Sequence, residues 1–422
     1  MPELGNVTVG VGDSGNVAPT ISTDESIGGL LFDLSGFDAP FSQFPQCEAN
    51  FGNGQVCLVN NLNEAAALGL GDNDFLGGVV YYRLSSFYNY IGGDAPLYIA
   101  FKDCTDGWEY IEEMQHLADG KIFQLGVWTS QMLVQAGDQG AIGLTSLAYK
   151  MEEAAELLCG KIGRASMSPV PLNIVLSANT CGALGNVRPN RLPDLMEANA
   201  PKVSVLLCQN NTSRVSAIQA VLPDNAPVGS IGVAMAVLSL AGVEESMGAV
   251  ATYNLNKDDK FQKPVIPLGS AQYLPSDVDR VSLSMLSSYG YIVPVEYDGR
   301  EGECFFSNDA TLGGGDYSSI ANNRVMHKCR RALYSVLLPY VNSHYLFDTS
   351  GRMSQSSASI IISDIGRVLD GVMVNKMGQG QISGREIEVS DTGDSANDDT
   401  LIVKLTITPA GYNEQIVEAV ST

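Results

Sequence analysis

The chain has 422 residues, 45% of them apolar, and its 24 Lys and Arg stand against 47 Asp and Glu for a formal net charge of −23. So acidic a chain is not a general nucleic-acid binder, which needs Lys and Arg against phosphates, and no apolar run is long enough to span a bilayer. Eight scattered cysteines without CxxC spacing, behind a Met1-Pro2-Glu3 start that lacks a basic or apolar leader, lead us to expect reduced thiols made in a cytoplasm and no disulfide or zinc framework.

In chain order, residues 7–11 (Val-Thr-Val-Gly-Val) come first, in a Gly-, Asn- and Ser-rich stretch between Pro2 and Pro19. They read as a lone strand with no partner nearby, and a strand with open N–H and C=O groups recruits another chain or frays. A strand is expected over 27–34 and another at 58–59, followed by a short helix over 63–69. Residues 75–91 carry Phe75, Val79, Tyr82, Leu84, Phe87 and Tyr88 at helical spacing and stop at Gly92-Gly93. Alternation follows: strand 97–101, helix 108–117, strand 122–128, helix 144–162, and strands 170–176 and 203–208. Helix 230–240, extended residues 265–268, helix 278–287 and strand 291–295 complete the run. Continuous apolar strands between helices of this length predict an α/β body with a mainly parallel sheet, placed at 25–310.

The last hundred residues change character. A long helix is expected over 318–346, kinked or divided at Pro339. Met326, Cys329, Leu333, Leu337 and Tyr340 fall on one side, and Arg324, His327, Lys328 and Arg331 on the other. A second helix is expected over 357–374, with Ile361, Ile365, Val368, Leu369 and Val372 inward, Ser356 or Ser357 as N-cap, and Gly378 and Gly380 beyond its end. Ile387 and Val389 precede an acidic turn over 390–399. Leu401, Val403, Leu405 and Ile407 then alternate with Ile402, Lys404, Thr406 and Thr408, the pattern of a half-buried antiparallel pair. Past Pro409, Gly411 and Asn413, residues 415–420 form a second lone strand. The expected fold class is thus a mainly parallel α/β body plus a C-terminal α+β unit of two helices and a β-hairpin, with a strand-like arm at each end.

Motifs for chemistry are weak. Gly10-Val-Gly-Asp-Ser-Gly15 matches G-x-G-x-x-G, but Asn16-Val-Ala-Pro19 follows where a dinucleotide site needs a helix. His116, His327 and His344 have no metal-binding spacing. Asp72-Asn73-Asp74 and Asp258-Asp259 resemble pieces of calcium loops without the closing Glu. Neither a G-x-S-x-G elbow nor a phosphate-binding P-loop is present. Gly313-Gly-Gly-Asp316 reads as a linker, and Glu112-Glu113 as an exposed helix face. We therefore expect no catalytic residue, metal or cofactor. The most specific local feature is basic: residues 317–376 hold seven Lys and Arg (Arg324, Lys328, Arg330, Arg331, Arg352, Arg367, Lys376) against Asp348, Asp364 and Asp370. A basic patch in so acidic a chain points to an acidic partner surface.

The order of these parts resembles the tail sheath protein of contractile bacteriophages and of related contractile injection systems. The likeness rests on Asn323-Arg-Val-Met-His-Lys-Cys-Arg-Arg331, Tyr345-Leu-Phe-Asp348, the 357–374 helix and Gly384-Arg-Glu-Ile-Glu-Val389 ahead of the 401–409 strand. Phe87-Tyr-Asn-Tyr-Ile-Gly-Gly93 before the strand that follows Pro96 is similar too. The resemblance implies a structural protein, a homopolymer of stacked rings around a tail tube. Its further partners would be baseplate and tail terminator proteins, and it would belong to a virion tail assembled in the host cytoplasm. It implies four parts: a linking arm (1–24), an outer body (25–310), an inner sheath unit (311–409) and a second arm (410–422). Thr8, Val9 and Val11, with Ile416, Val417 and Val420, would be donated to neighbouring subunits. Ile387, Val389, Leu401, Val403, Leu405 and Ile407 would form the accepting sheet. Arg324, Lys328 and Arg331 would be candidates to face the tube, and contraction would run on stored conformational energy without nucleotide. Competing expectations are an enzyme built on the Rossmann-like body, since fold alone does not exclude one, and a structural oligomer closed into a ring.

Overall fold

A computed structural model describes residues 24–37, 40–72, 74–129, 141–159, 170–178, 188–222, 227–256, 261–268, 271–341, 343–344, 346, 353–374, 378–391 and 401–411. The expected lone strands at 7–11 and 415–420, with the G-x-G-x-x-G match and Asp258-Asp259, lie outside these residues. The body is built on β1 (Gly28–Asp33), β2 (Val56–Val59), β3 (Leu97–Lys102), β4 (Gln124–Thr129), β5 (Asn173–Ser177) and β6 (Val203–Leu206). Two small ladders are added by β7 (Gln209–Asn210), β8 (Pro264–Leu268) and β9 (Ala271–Tyr273), and by β11 (Pro294–Val295) with β12 (Phe305–Phe306); between them β10 (Tyr291–Ile292) returns to the main sheet. That sheet has the order β10-β6-β5-β4-β1-β3-β2, and every pairing in it is parallel except β2 with β3. The parallel α/β body expected from the apolar strand runs is what forms. The run over 291–295 divides because Val293 sits between two sheets.

Helices cover both faces of the sheet. They are α1 (Pro45–Phe51), α2 (Leu62–Ala67), α3 (Val79–Ile91), α4 (Tyr110–Leu117), α5 (Ala141–Leu157), α6 (Ser213–Gln219), α7 (Ile231–Leu240) and α8 (Arg280–Ser288). Side chains of β1 alternate between two cores: Leu30 and Phe32 pack with α3 and α7, Leu31 with α4 and α5. Apolar all round, α7 is buried from Ile231 to Ser239. It presses so closely on α3 that a Cβ on Gly232 would lie 2.3 Å from the Arg83 carbonyl oxygen, so only glycine fits there.

The C-terminal unit holds α9 (Ile320–Leu337), α10 (Gln355–Val372), β13 (Ile382–Asp391) and β14 (Leu401–Pro409). A third core joins Val325, Cys329 and Ala332 of α9 to Ile361, Ile365 and Leu369 of α10, with Val243 of the body and the inner face of the hairpin. Leu312 and Ile320 still pack in the body's two cores. Two details depart from expectation. Ser354, not Ser356 or Ser357, caps α10, because its extended backbone lets the hydroxyl accept from Ser357 N while the Ser357 hydroxyl serves Leu346 N. Helix α9 stops at Leu337, and Pro339 sits in the 3₁₀ turn that follows, where its missing N–H is harmless.

Candidate assembly interface

Strands β13 and β14 pair over nearly their whole length, from Ile382 with Pro409 to Asp391 with Leu401, with one irregularity between Ile382 and Gly384. They form a sheet of their own, so each strand keeps its outer edge unpaired among the described residues. Ile387, Val389, Val403, Leu405 and Ile407 lie half-buried on the face that packs against the two helices. Leu401 is placed by its pairing with Asp391. Glu386, Glu388, Lys404 and Thr406 are exposed on the other face, where Lys404 and Glu388 approach to 3.4 Å. The Arg385 guanidinium forks onto the Asp370 carboxylate, Nη2 donating to Oδ2 at 2.8 Å, and so fastens the hairpin to α10. This brings the expected accepting sheet together. The residues expected to be donated, Thr8, Val9, Val11, Ile416, Val417 and Val420, lie outside the described residues.

The basic face of α9 is placed differently from the sequence reading. Arg324 and Arg331 are 0% exposed and Lys328 3%, so in this conformation none of the three presents a surface to a tube. Their spacing does put them on one helix face, but that face docks on the body instead of facing solvent. The reason lies in the carbonyl groups it meets. At the C-terminus of α7, Leu238 O, Ala241 O and Gly242 O accept from Arg324 at 2.9, 3.1 and 3.1 Å, satisfying acceptors that a helix end leaves without internal donors. Arg331 donates to Gly120 O, to Ile122 O at 2.9 Å and to Pro171 O at 2.9 Å, and its guanidinium lies 4.3 Å from the Phe123 ring centroid. Lys328 Nζ sits 3.1 Å from Glu25 Oε2 and donates to Gln381 Oε1 at 2.8 Å. Burial pulls Arg331 down to about 9, still protonated at neutral pH. Burial also lowers Arg324, with Glu25 acting against it. His327, on the same face, is held well below its ordinary value by burial and then by Arg330, Lys202 and Arg331, and is neutral.

The residues that complete this junction, Glu25, Glu244 and Gln381, carry no sequence signal. Each is one polar residue in a loop or just ahead of a strand, without periodicity. Of the calcium-like fragment, Asp72 pairs with Arg214 and Asp74 caps the start of α3. Asp74 is buried, and its carboxylate accepts from Leu76 N (2.9 Å), Gly78 N (3.1 Å) and Tyr81 N (2.7 Å) at the start of α3. Burial pushes it up to about 6 despite those bonds. Gly313 packs on Pro201, and Gly315 opens a 3₁₀ turn ahead of α9. Among the described residues no three His, Cys, Asp or Glu side chains are placed to hold a metal ion, and no helix is long and apolar enough to cross a membrane.

No protein-family model matches the sequence, and no curated protein matches it. Solved structures do match its fold. A chain of the anti-feeding prophage (AFP) baseplate, determined by cryo-EM and sixfold symmetrised, is similar with a TM-score of 0.58 at 14% identity, over 98% of both chains. A chain from the PVC sheath complex of an extracellular contractile injection system, in the contracted state, is similar with a TM-score of 0.53 at 12% identity, over 98% of this chain and 96% of that one. The chain thus shares the fold of these contractile injection system components over 98% of its length, in agreement with the resemblance drawn from its sequence.

Proposed function

We propose that this chain is a sheath subunit: a structural protein that polymerises into a contractile sleeve around a tail tube and drives the tube through a bacterial envelope. The observation that carries the reading is the fold likeness over 98% of the chain to the AFP baseplate and PVC sheath chains. The open-edged β13–β14 hairpin supports it, since unpaired edges are where extended segments of other subunits add as strands. In this reading residues 1–24 and 410–422 are linking arms, 25–310 the outer body and 311–409 the inner unit. The arms give Thr8, Val9 and Val11, and Ile416, Val417 and Val420, to hairpins of neighbours. Baseplate and terminator proteins cap the polymer, and contraction rearranges subunits without breaking the arm contacts. With the cations of α9 buried, we assign tube contact to the outward face of α10, where Ser356, Ser359, Ser363 and Arg367 are exposed and Ile360 is 59% exposed.

Negative-stain electron microscopy of the purified full-length protein tests the reading. Hollow tubes or stacked rings are expected from the intact chain, and soluble folded particles without tubes from a chain lacking residues 1–15. Long tubes from the shortened chain would remove the arm mechanism. A catalytic activity that survives loss of both arms would favour an enzyme instead.

A further inference from the structure

We infer that Lys328 ties the roots of both terminal segments into one buried polar junction, so that the two ends of the chain leave the fold from a shared anchor. Lys328 Nζ reaches Glu25 Oε2 at 3.1 Å on one side and Gln381 Oε1 at 2.8 Å on the other. Glu25 precedes β1, and its carbonyl oxygen accepts from Arg324 Nη2 and Gln124 Nε2, both at 3.3 Å. Gln381 precedes β13, and its carbonyl oxygen accepts from Ala410 N at 3.1 Å, the first residue past β14. The backbone N–H of Gln381 donates to Met373 O at 3.0 Å, and its Nε2 donates to Glu244 Oε2 at 2.9 Å. A continuous chain of contacts therefore runs Glu25, Lys328, Gln381, Ala410, through side chains that are 3% (Lys328) and 0% (Gln381) exposed.

The mechanical consequence rests on the arm reading above. A pull on the C-terminal segment enters at Ala410, at the end of the hairpin where Pro409 faces Ile382. Pulling there peels β14 from β13 one pair at a time, the weak loading direction for a ladder. Gln381, held by four hydrogen bonds, blocks the first step. A pull on the N-terminal segment reaches Glu25 before β1, where Lys328 and Arg324 hold it. Load entering by one arm can leave by the other through α9, without passing through the sheet of the body.

The test is amide hydrogen exchange of the full chain, wild type and variants compared in the same assembly state, read by mass spectrometry with fragmentation. Glu25→Ala changes only the N-terminal root, and the readout is the amide of Ala410 at the other end. Loss of a charged hydrogen bond from the junction is expected to speed exchange there about tenfold. Lys328→Met is expected to speed exchange at both 25–27 and 410 together. Should Lys328→Met lose its far-UV circular dichroism, Glu25→Ala alone decides. Exchange at Ala410 that stays at the wild-type rate while residues 24–27 speed up would overturn the shared anchor. Tubes formed by the chain lacking residues 1–15 would instead overturn the arm reading and leave the anchor standing.

Discussion

Replacing Arg331 with methionine tests whether buried guanidinium groups hold the C-terminal unit on the body. Methionine keeps the apolar stem and removes every donor. Of the three carbonyls that Arg331 serves, Ile122 O keeps the Gln115 side-chain amide at 2.8 Å, so Gly120 O and Pro171 O are the two that lose their donor. An orphaned buried acceptor costs about 1–3 kcal/mol, which gives about 2–6 kcal/mol for the pair. Loss of the stacking on Phe123 adds about 1 kcal/mol. Against this, the variant no longer buries a charge, and burial is what pulls Arg331 down to about 9. The donor terms win because the carbonyls stay buried whichever side chain stands opposite them, and we expect a net loss of about 3 kcal/mol. Arg331→Lys, with a charge but no fork, should lose about half as much. Urea denaturation followed through Trp108 and Trp128, both in the body, gives the shift in midpoint, and circular dichroism at helix wavelengths shows whether α9 detaches first as a separate transition. A loss below about 1 kcal/mol would mean that the apolar contacts alone hold the junction and that the guanidinium is incidental.

Asp74 gives a prediction in pH. Its carboxyl is raised to about 6 in the fold against 3.8 as a free group, so the native state binds its proton more tightly and ionisation costs stability at neutral pH. Wild-type stability relative to Asp74→Asn should therefore rise as pH falls from 6 to 5, by about 1 kcal/mol, because the group is already half protonated at pH 6; a flat difference would show that the three backbone donors outweigh burial. On α10, Ile360→Asp should leave the fold and tube formation by the chain alone intact, because the side chain is 59% exposed. It should at the same time weaken co-assembly with a tail tube protein, as read by co-sedimentation, and undiminished co-sedimentation would take tube contact away from this face.

The body was legible because its signal is redundant. β1, β3, β4, β5 and β6 are short apolar runs, and the helices between them carry an apolar stripe and a glycine or polar stop, so local pattern and final packing agree. The hairpin was legible for a related reason: period-two alternation survives from Ile402 to Ile407 as exposed against half-buried positions. Helix α1 was missed because Phe44 stands where a capping side chain would be, and its burial comes from distant aromatic rings such as Phe101. The basic face was misread for a deeper reason. Periodicity shows which residues share a helix face but not what that face meets. Arg324, Lys328 and Arg331 look like a solvated stripe because their partners are far away in sequence: the two arginines meet carbonyls of Gly120, Pro171, Leu238 and Gly242, which, being backbone, leave no mark on residue identity, and Lys328 meets Glu25 and Gln381.

The charge balance then bears on how copies of this chain meet. Among the described residues five cations are buried (Arg83, Lys202, Arg324, Lys328, Arg331), as are four acids (Asp33, Asp74, Glu152, Asp309). Burial thus removes bases and acids almost equally and leaves the formal charge of −23 uncompensated. Copies packed side by side repel one another, and of the cations that sequence offered as a complementary patch Arg324 and Arg331 are spent on backbone carbonyls and Lys328 on the Glu25 and Gln381 side chains within the subunit. In the proposed arm reading the attraction between copies is insensitive to net charge. Strand addition has this property because its bonds run between N–H and C=O groups that every residue but proline supplies. Added salt should then favour polymerisation by screening the repulsion while leaving the strand pairing intact, the opposite of what a charge-complementary interface would do.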